Sequence, residues 1–545
     1  MHAKHKFDVV IVGYGPVGAT LANLLGQRGL DVAVLEPARD VYDKPRAITA
    51  DHEAMRVFQE CGLADEIARA TIPHPGTDYR GLRGQVIKRF YPQAPPHPLG
   101  WEPAFMFVQP DMEAILRRGV QRYSNVQVLL GHALTDFEEQ SDQLVARARC
   151  TDDGKTMELP CRYLIACDGG KSLVRRQLAS PIEDLAFDEW WMIIDAHIKG
   201  PVDLPPRAVQ YCRPTRPGTY MVGPGTLRRW EIKLLAGESA EDFQSEEAVR
   251  RVWGSFIDVD AFALWRTAIY RFHALVVEQW STERVFLMGD AAHQMPPFLG
   301  QGLCAGIRDA SNLAWKLEGV LRGRFNDHVL PSYGLERKPH VRTIVSHAKS
   351  FGLIIGELDP VAALARDERL EAELHSGRAE TVRQKFIPGL TCGLIDSDAN
   401  GQPTAGAGAL FPQPWVRGAD GAFHRLDDRL ATGFLIATDI EDVHDWLDAD
   451  ARAVWSRIGG QMLRISPSAA ADTGSVPGFS ERDGVFCTWL AAQGQRVALV
   501  RPDHYVHGMA SDAAGLSELV RRLGHTLLAN RQTPPTQPES RAMHP

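Results

Sequence analysis

The stretch FDVVIVGYGPVG, residues 7–18, constrains the fold of this chain more than any other. An apolar run from Val9 to Val12 reads as a buried strand, and a helical pattern follows Gly18. Between them Gly13, Gly15 and Gly18, with Pro16 among them, permit a tight turn and bring backbone N–H groups close to a pyrophosphate at a helix start. A second strand, Val32 to Leu35, ends in Glu36, eighteen residues after Gly18. That is where a βαβ dinucleotide fold sets a carboxylate on a ribose diol. Strand, glycine turn, helix, strand and acid in this order predict a Rossmann-like nucleotide site.

A second stretch, GDAAHQMPPFLGQG at residues 289–302, adds to the first. It puts Asp290 at the end of an apolar strand, Arg284 to Met288, and then runs through a Pro-Pro kink into a glycine-rich helix start. A carboxylate at that strand end holds a polyol hydroxyl, and the helix N-terminus beyond it faces an anion-stabilising position. The combination suits a flavin better than a nicotinamide alone. A third strand end, at Asp168-Gly169-Gly170, is by itself an ordinary turn.

The rest of the chain divides around these signals. Residues 74–104 are rich in Pro, Gly and aromatics, with a short strand near Val86 to Phe90, and read as an excursion from the nucleotide domain. From 181 to 275 helix–strand alternation gives way to alternating segments, predicting a mostly antiparallel sheet that roofs a pocket. A helix is expected over Arg308 to Arg322, and a long charged helical pattern from Glu336 to Lys385. The C-terminal order, strand–helix near Glu441 to Ser456 and then ββα, suits a thioredoxin-like unit without a CxxC pair. The fold class expected is therefore α/β: a Rossmann-like FAD-binding domain interleaved with a mostly antiparallel sheet substrate domain, plus a C-terminal thioredoxin-like domain. The expected boundaries are 1–73, 105–180 and 281–335 for the FAD-binding domain; 74–104 and 181–280 for the substrate domain; and 336–390 for a helical segment. A linker follows at 391–409, then the thioredoxin-like domain at 410–530 and a disordered tail at 531–545.

Composition excludes several classes. At 545 residues the chain holds several domains of about 150 each. A net charge of −8 provides no basic field for nucleic acid. No apolar run approaches the roughly eighteen residues of a membrane span, and the first strand begins too early to leave room for a signal peptide. The eight cysteines are scattered, with no spacing for a metal site. A cytoplasmic location with reduced thiols is expected.

Read together, GYGPVG, the DGG at Asp168, and GDAAH with PPF and GQG resemble the single-component flavin-dependent aromatic hydroxylases. DKPRAI, HPGT, GQVIKRF, PHPLGW, FVQPDMEA, MPPFLGQG and GIRDASNLAWKL look like the 3-(3-hydroxyphenyl)propionate hydroxylase group. The resemblance implies FAD as cofactor, with Glu36 on the adenosine ribose, Gly13, Gly15, Pro16 and Gly18 at the pyrophosphate, and Asp290 on the ribitol chain. It implies that Arg46 and Gln109 contact FAD, that Asp168 serves both FAD and the nicotinamide, and that Pro297, Gly300, Gln301 and Gly302 border the isoalloxazine ring. Cys304 departs from the family, which usually has Asn or another polar residue there.

The activity implied is hydroxylation of a phenol ortho to its hydroxyl through a flavin C4a-hydroperoxide, with NADH or NADPH and O₂ as co-substrates. A general base near the ring is wanted, and in the strand IYRFHA either Tyr270 or His273 reaches the pocket. A propionate or cinnamate carboxylate would need an Arg, for which Arg213, Arg216, Arg228 and Arg271 are candidates. A polyketide, quinolone or simple phenol as substrate, or a flavin reductase or NAD(P)H oxidase without hydroxylation, are the alternatives. The partners expected are a small aromatic substrate and O₂, with a homodimer as the assembly; no nucleic acid, membrane or metal is expected.

Overall fold

A computed structural model of the protein describes residues 6–140, 143–467 and 476–528; the tail at 531–545 lies outside the described residues. The N-terminal apolar run forms the strand Phe7–Val12, buried along almost its whole length. It lies between the parallel strands Val32–Glu36 and Thr156–Ala166, which is why it reads as continuous Val and Ile and not as an alternation. The sheet extends to Val126–Leu130 on one side and through the antiparallel strands Leu144–Cys150 and His132–Glu139 on the other. Val285–Leu287 joins parallel to Thr156–Ala166. The strands leading to Gly13, Asp168 and Asp290, far apart in sequence, therefore deliver their C-terminal ends to one edge, where open α/β sheets take their ligands.

A second sheet has eight strands in the order His293–Gln294, Phe262–Val277, Ile182–Ile198, Leu227–Lys233, Gly218–Val222, Ala208–Tyr211, Thr77–Arg80 and Val86–Phe90. Only the pairing of Ala208–Tyr211 with Thr77–Arg80 is parallel. One face packs on Trp230, Trp253 and Phe262, and the other faces the edge of the nucleotide sheet.

The helix expected over Arg308 to Arg322 runs from Gly302 to Leu321, starting at the last glycine of the turn, with Gln301 at its N-cap. The long charged pattern divides into Ser332–Gly356 and Pro360–His375. Asp359 caps the second by accepting the N–H groups of Val361 and Ala362, and Pro360 fits the first turn because no N–H is needed there. In the C-terminal unit, Gly478–Ser480, Gln461–Ser466 and Leu435–Thr438 are parallel neighbours, and Val497–Val500 and Val506–Ala510 continue the sheet antiparallel. The helix expected near Glu441 to Ser456 is instead a short 3₁₀ turn, Val443–Trp446, and a separate helix, Ala449–Arg457, capped by Asp448. The stretch 391–409 is pinned along its length: Leu394 donates its N–H to Glu336 Oε1 at 2.7 Å and Asp396 to the His507 carbonyl at 2.6 Å.

Candidate active site

At the N-terminal glycine turn the roles of the three glycines separate. Gly13 has φ +98°, and a Cβ there would lie 2.4 Å from the Cys167 carbonyl oxygen; at Gly18 a Cβ would lie 2.1 Å from the Gly13 oxygen. Both are needed for close packing of turn, strand and helix. Gly15 meets nothing within 4 Å and opens onto space at the start of the helix Pro16–Gln27, whose first turn has no side-chain cap. Free N–H groups at a helix N-terminus suit an anion. Glu36, at its strand end beside the turn, accepts the N–H groups of Tyr14 at 2.8 Å and Ala38 at 2.9 Å.

From this turn a cleft of about 460 Å³ runs between the two sheets. Gly15, Pro16, Arg46, Gln109 and Asp290 line it, as do Pro297, Gly300 and Gly302 of the second glycine turn. Gln109 Oε1 accepts the N–H groups of Arg46 at 3.0 Å and Ala47 at 2.7 Å, fixing the loop that carries Arg46. The Asp290 carboxyl opens on the cleft, and the protein packed around it raises its pKa against the pull of His293, Arg46 and Arg175. Asp168 accepts the Leu173 N–H at 2.8 Å, at the start of the following helix that Ser172 caps, and its Oδ1 is buried with no protein partner. Gln301 is a correction: its side chain turns into the core, where Oε1 accepts from Arg308 at 2.9 Å, so the turn meets the cleft through its backbone and neighbours. Cys304 is likewise buried, with its thiol against the Gly300 carbonyl. His293 supports the loop, its Nε2 3.0 Å from Asp309, which also accepts the Gly289 N–H at 3.1 Å.

The roof of the cleft is written across strands. Tyr79, Gln210, Thr219, Glu231 and Ile193 are successive cross-strand partners, forming one row. Met221, Arg229, Asp195 and Arg266 form the next. Asp195, wholly buried, accepts from Arg229 Nε at 2.7 Å and lies 3.3 Å from Arg266 Nη1. Arg229 also donates to the carbonyls of Arg46 at 2.8 Å and Pro45 at 3.0 Å, so the roof grips the Arg46 loop from above. Burial pushes the Glu231 carboxyl up to about 7, with Arg229, 3.9 Å away, offsetting only part of that. Sequence reasoning missed both rows. The only signal was the shared parity of Arg229 and Glu231 on one strand, which does not say which face is wet.

Tyr270, Arg271 and His273 all line the cleft, because both faces of the strand border it there. The Tyr270 hydroxyl accepts from Arg266. His273 lies 3.7 Å from Asp188, and Arg271 donates to the same carboxylate at 2.6 Å. The other three arginine candidates are corrections, since none is among the described residues lining the cleft. Arg213 stacks 4.2 Å from the Phe256 ring centroid, Arg216 is held by both oxygens of Glu238, and Arg228 is spent on carbonyls of its own turn. Among the other lining residues that went unread in the sequence are His74 and Arg383.

These residues fit FAD: a glycine turn open to an anion, a strand-end acid for a ribose, a carboxyl open to a polyol, an unpartnered buried carboxylate oxygen and a helix start beside the cleft. Among the described residues there is no group that could hold a metal ion and no helix long and apolar enough to cross a membrane. The family model described as FAD binding domain matches residues 6–348, and the HcaD C-terminal domain matches 408–526. The chain is similar to a 3-(3-hydroxy-phenyl)propionate/3-hydroxycinnamic acid hydroxylase of Burkholderia vietnamiensis, 33% identical over 94% of this chain and 95% of the relative. It is equally similar to a probable NADH-specific resorcinol 4-hydroxylase of Rhodococcus jostii, 33% identical over 95% of each. Among solved structures, the flavin-dependent monooxygenase PieE with FAD and substrate superposes with a TM-score of 0.79 at 20% identity, covering 96% of this chain and 100% of that one. Aklavinone-11 hydroxylase with FAD and aklavinone superposes at 0.75 and 22% identity, covering 96% and 99%.

Proposed function

The chain belongs to the FAD-binding family of single-component aromatic hydroxylases and is an FAD-dependent aromatic-ring monooxygenase; from that membership we propose that it hydroxylates 3-(3-hydroxyphenyl)propionate or 3-hydroxycinnamate beside the ring hydroxyl, giving the 2,3-dihydroxy product. The observation that carries the reading is the single cleft in which the second glycine turn, Asp290 and the polar roof meet. It is supported by relatives of that name over nearly the full chain.

In this reading Glu36 takes the adenosine ribose, the N-terminal glycine turn the pyrophosphate, Asp290 the ribitol, and Arg46 with Gln109 flanks the cofactor. Asp168 serves FAD and nicotinamide together. Bound FAD supplies the activated oxygen once NAD(P)H and O₂ have reacted with it. The chain's own work is to orient the phenol, exclude water and move one proton. Tyr270, held by Arg266, presents its oxygen to the cleft, and Glu231, near pH 7, exchanges a proton there. His273, half-buried beside Asp188, is the outer candidate for the same task. Phe298 and Phe272 in the lining, with Trp191 behind them, form an apolar wall for the ring.

A neutral resorcinol-type phenol is the second reading, favoured by the Rhodococcus relative. The reading also puts the enzyme in the cytoplasm, as a homodimer. A panel of phenols assayed for both NAD(P)H oxidation and hydroxylated product tests it: 3-(3-hydroxyphenyl)propionate should accelerate oxidation and yield the 2,3-diol. Oxidation without any hydroxylated product from any phenol would leave only an NAD(P)H oxidase.

A further inference from the structure

One wall of the cleft carries two hydrogen-bond donors that the reaction as drawn leaves unused. His74 is 8% exposed and lines the cleft. Its Nδ1 accepts the N–H of Gly76 at 3.0 Å, so the ring proton sits on Nε2, which has no partner in the protein. Burial, and secondarily the charge of Arg383, holds His74 at about 3, so the ring is neutral at physiological pH and acts there as a donor. An unmet N–H in such a place favours an acceptor brought by a ligand.

Arg383, in the 3₁₀ turn Arg383–Phe386, lines the same cleft. Its Nε donates to the Leu299 carbonyl at 3.1 Å, and among the described residues no carboxylate pairs with its guanidinium. Burial lowers the pKa of half-buried Arg383, whereas Arg229 and Arg308, deeper in the protein but paired with Asp195 and with Asp51 and Glu53, are raised. Gly300 makes room for it, since a Cβ there would lie 2.7 Å from Arg383 Nη2. Tyr79, which feels the charge of Arg383, stands three strands along the roof row from Glu231, about 14 Å at about 4.8 Å per strand. The cationic end of the cleft and the proton-exchanging end are thus distinct.

We propose that His74 and Arg383 together bind the side-chain carboxylate of the substrate, and so select acidic phenols over neutral ones. A guanidinium beside an N–H donor matches the two oxygens of a carboxylate, which also gives a partner to the half-buried charge of Arg383. The proposal rests on the hydroxylase reading above. It assigns the acid-binding role to a residue beyond the antiparallel layer, in the segment after the long helices.

The test uses FAD-loaded enzyme and titrates 3-phenylpropionate, which carries the acid but no ring hydroxyl, against its neutral analogue 3-phenylpropanol. Arg383→Met should weaken 3-phenylpropionate by about tenfold or more and 3-phenylpropanol by about twofold or less. It should raise KM for 3-(3-hydroxyphenyl)propionate by a similar factor, while FAD affinity stays unchanged. Arg383→Lys should recover part of the loss, and His74→Gln, which keeps an N–H, should bind the acid better than His74→Leu. Equal weakening of acid and alcohol, or no weakening of either, would overturn the proposal. Loss of FAD affinity in Arg383→Met would overturn it too, by assigning the charge to the cofactor. If the unaltered enzyme hydroxylates resorcinol and ignores the acid, the hydroxylase reading stands and the acid subsite falls. If it hydroxylates no phenol, the reading beneath it falls.

Discussion

Asp290 follows the strand Val285–Leu287, and its carboxyl opens directly on the cleft. On the proposed reading this carboxylate accepts from a ribitol hydroxyl, so Asp290→Ala should weaken FAD by about 1–3 kcal/mol, read by equilibrium dialysis of the flavin. Unchanged affinity would remove Asp290 from the cofactor site. Glu231 offers a test by pH. Folded, it keeps its proton to about 7, whereas an unfolded Glu loses it near 4.5. Folding therefore takes up a proton between those values, and stability falls as pH rises through that window before levelling above it. Glu231→Gln mimics the protonated form, so the variant should gain on the wild type by roughly 2–3 kcal/mol between about pH 4.5 and 7. A stability difference that does not move with pH would show that Glu231 ionises normally.

At the scale of elements, the eight-stranded sheet serves as the upper jaw of the cleft through one buried ion cluster. Asp195 on Ile182–Ile198 holds Arg229 and Arg266 from the two neighbouring strands, and both arginines reach the Pro45 carbonyl of the loop below. Breaking such a cluster leaves buried charges uncompensated. Asp195→Asn should cost about 3–5 kcal/mol in denaturant unfolding, and should also weaken FAD, because the Arg46 loop loses its upper anchor. A fully stable variant that still binds FAD normally would show that the sheet does not hold the loop. None of this is visible along the chain, because Asp195, Arg229 and Arg266 become neighbours only when three strands pair in register. Their individual signals are those of ordinary charged residues on alternating strands.

Over the whole molecule, the C-terminal unit is fastened to the rest by buried charge. Glu336 on the helix Ser332–Gly356 accepts from both terminal nitrogens of Arg501, at 2.9 and 2.7 Å, and from Lys316 at 2.7 Å. Burial alone would raise Glu336, but Arg501 and Lys316 hold it at about 2. Close by, Tyr505 donates to Glu53 at 2.8 Å, Glu53 pairs with Arg308, and Arg308 donates to Gln301 in the second glycine turn. Arg501→Met should destabilise the protein by about 3–5 kcal/mol and expose 391–409 to limited proteolysis. A variant as protease-resistant as the wild type would show that the unit is held by apolar packing instead. Burial, and after it the neighbouring Glu481 carboxylate, pushes the Cys487 thiol of this unit up to about 12, which disfavours its thiolate.

The sequence by itself determined what depends on local chain geometry. Gly13, Gly15 and Gly18, the acids Glu36 and Asp290, and the Pro-Pro kink before Gly300 declare a turn, a strand end or a helix start within a few residues, and so announced a flavin site. Tertiary structure alone decided what stands over that site. Gln210, Thr219 and Glu231 face the cleft only through strand register, and Gln301 turns inward because Arg308 waits behind it. His74 and Arg383, some three hundred positions apart, meet because the segment after the long helices folds back beneath the roof. A lone Arg or His carries no mark of its future neighbours, and the neighbours decide whether its charge is satisfied, exposed or left for a ligand.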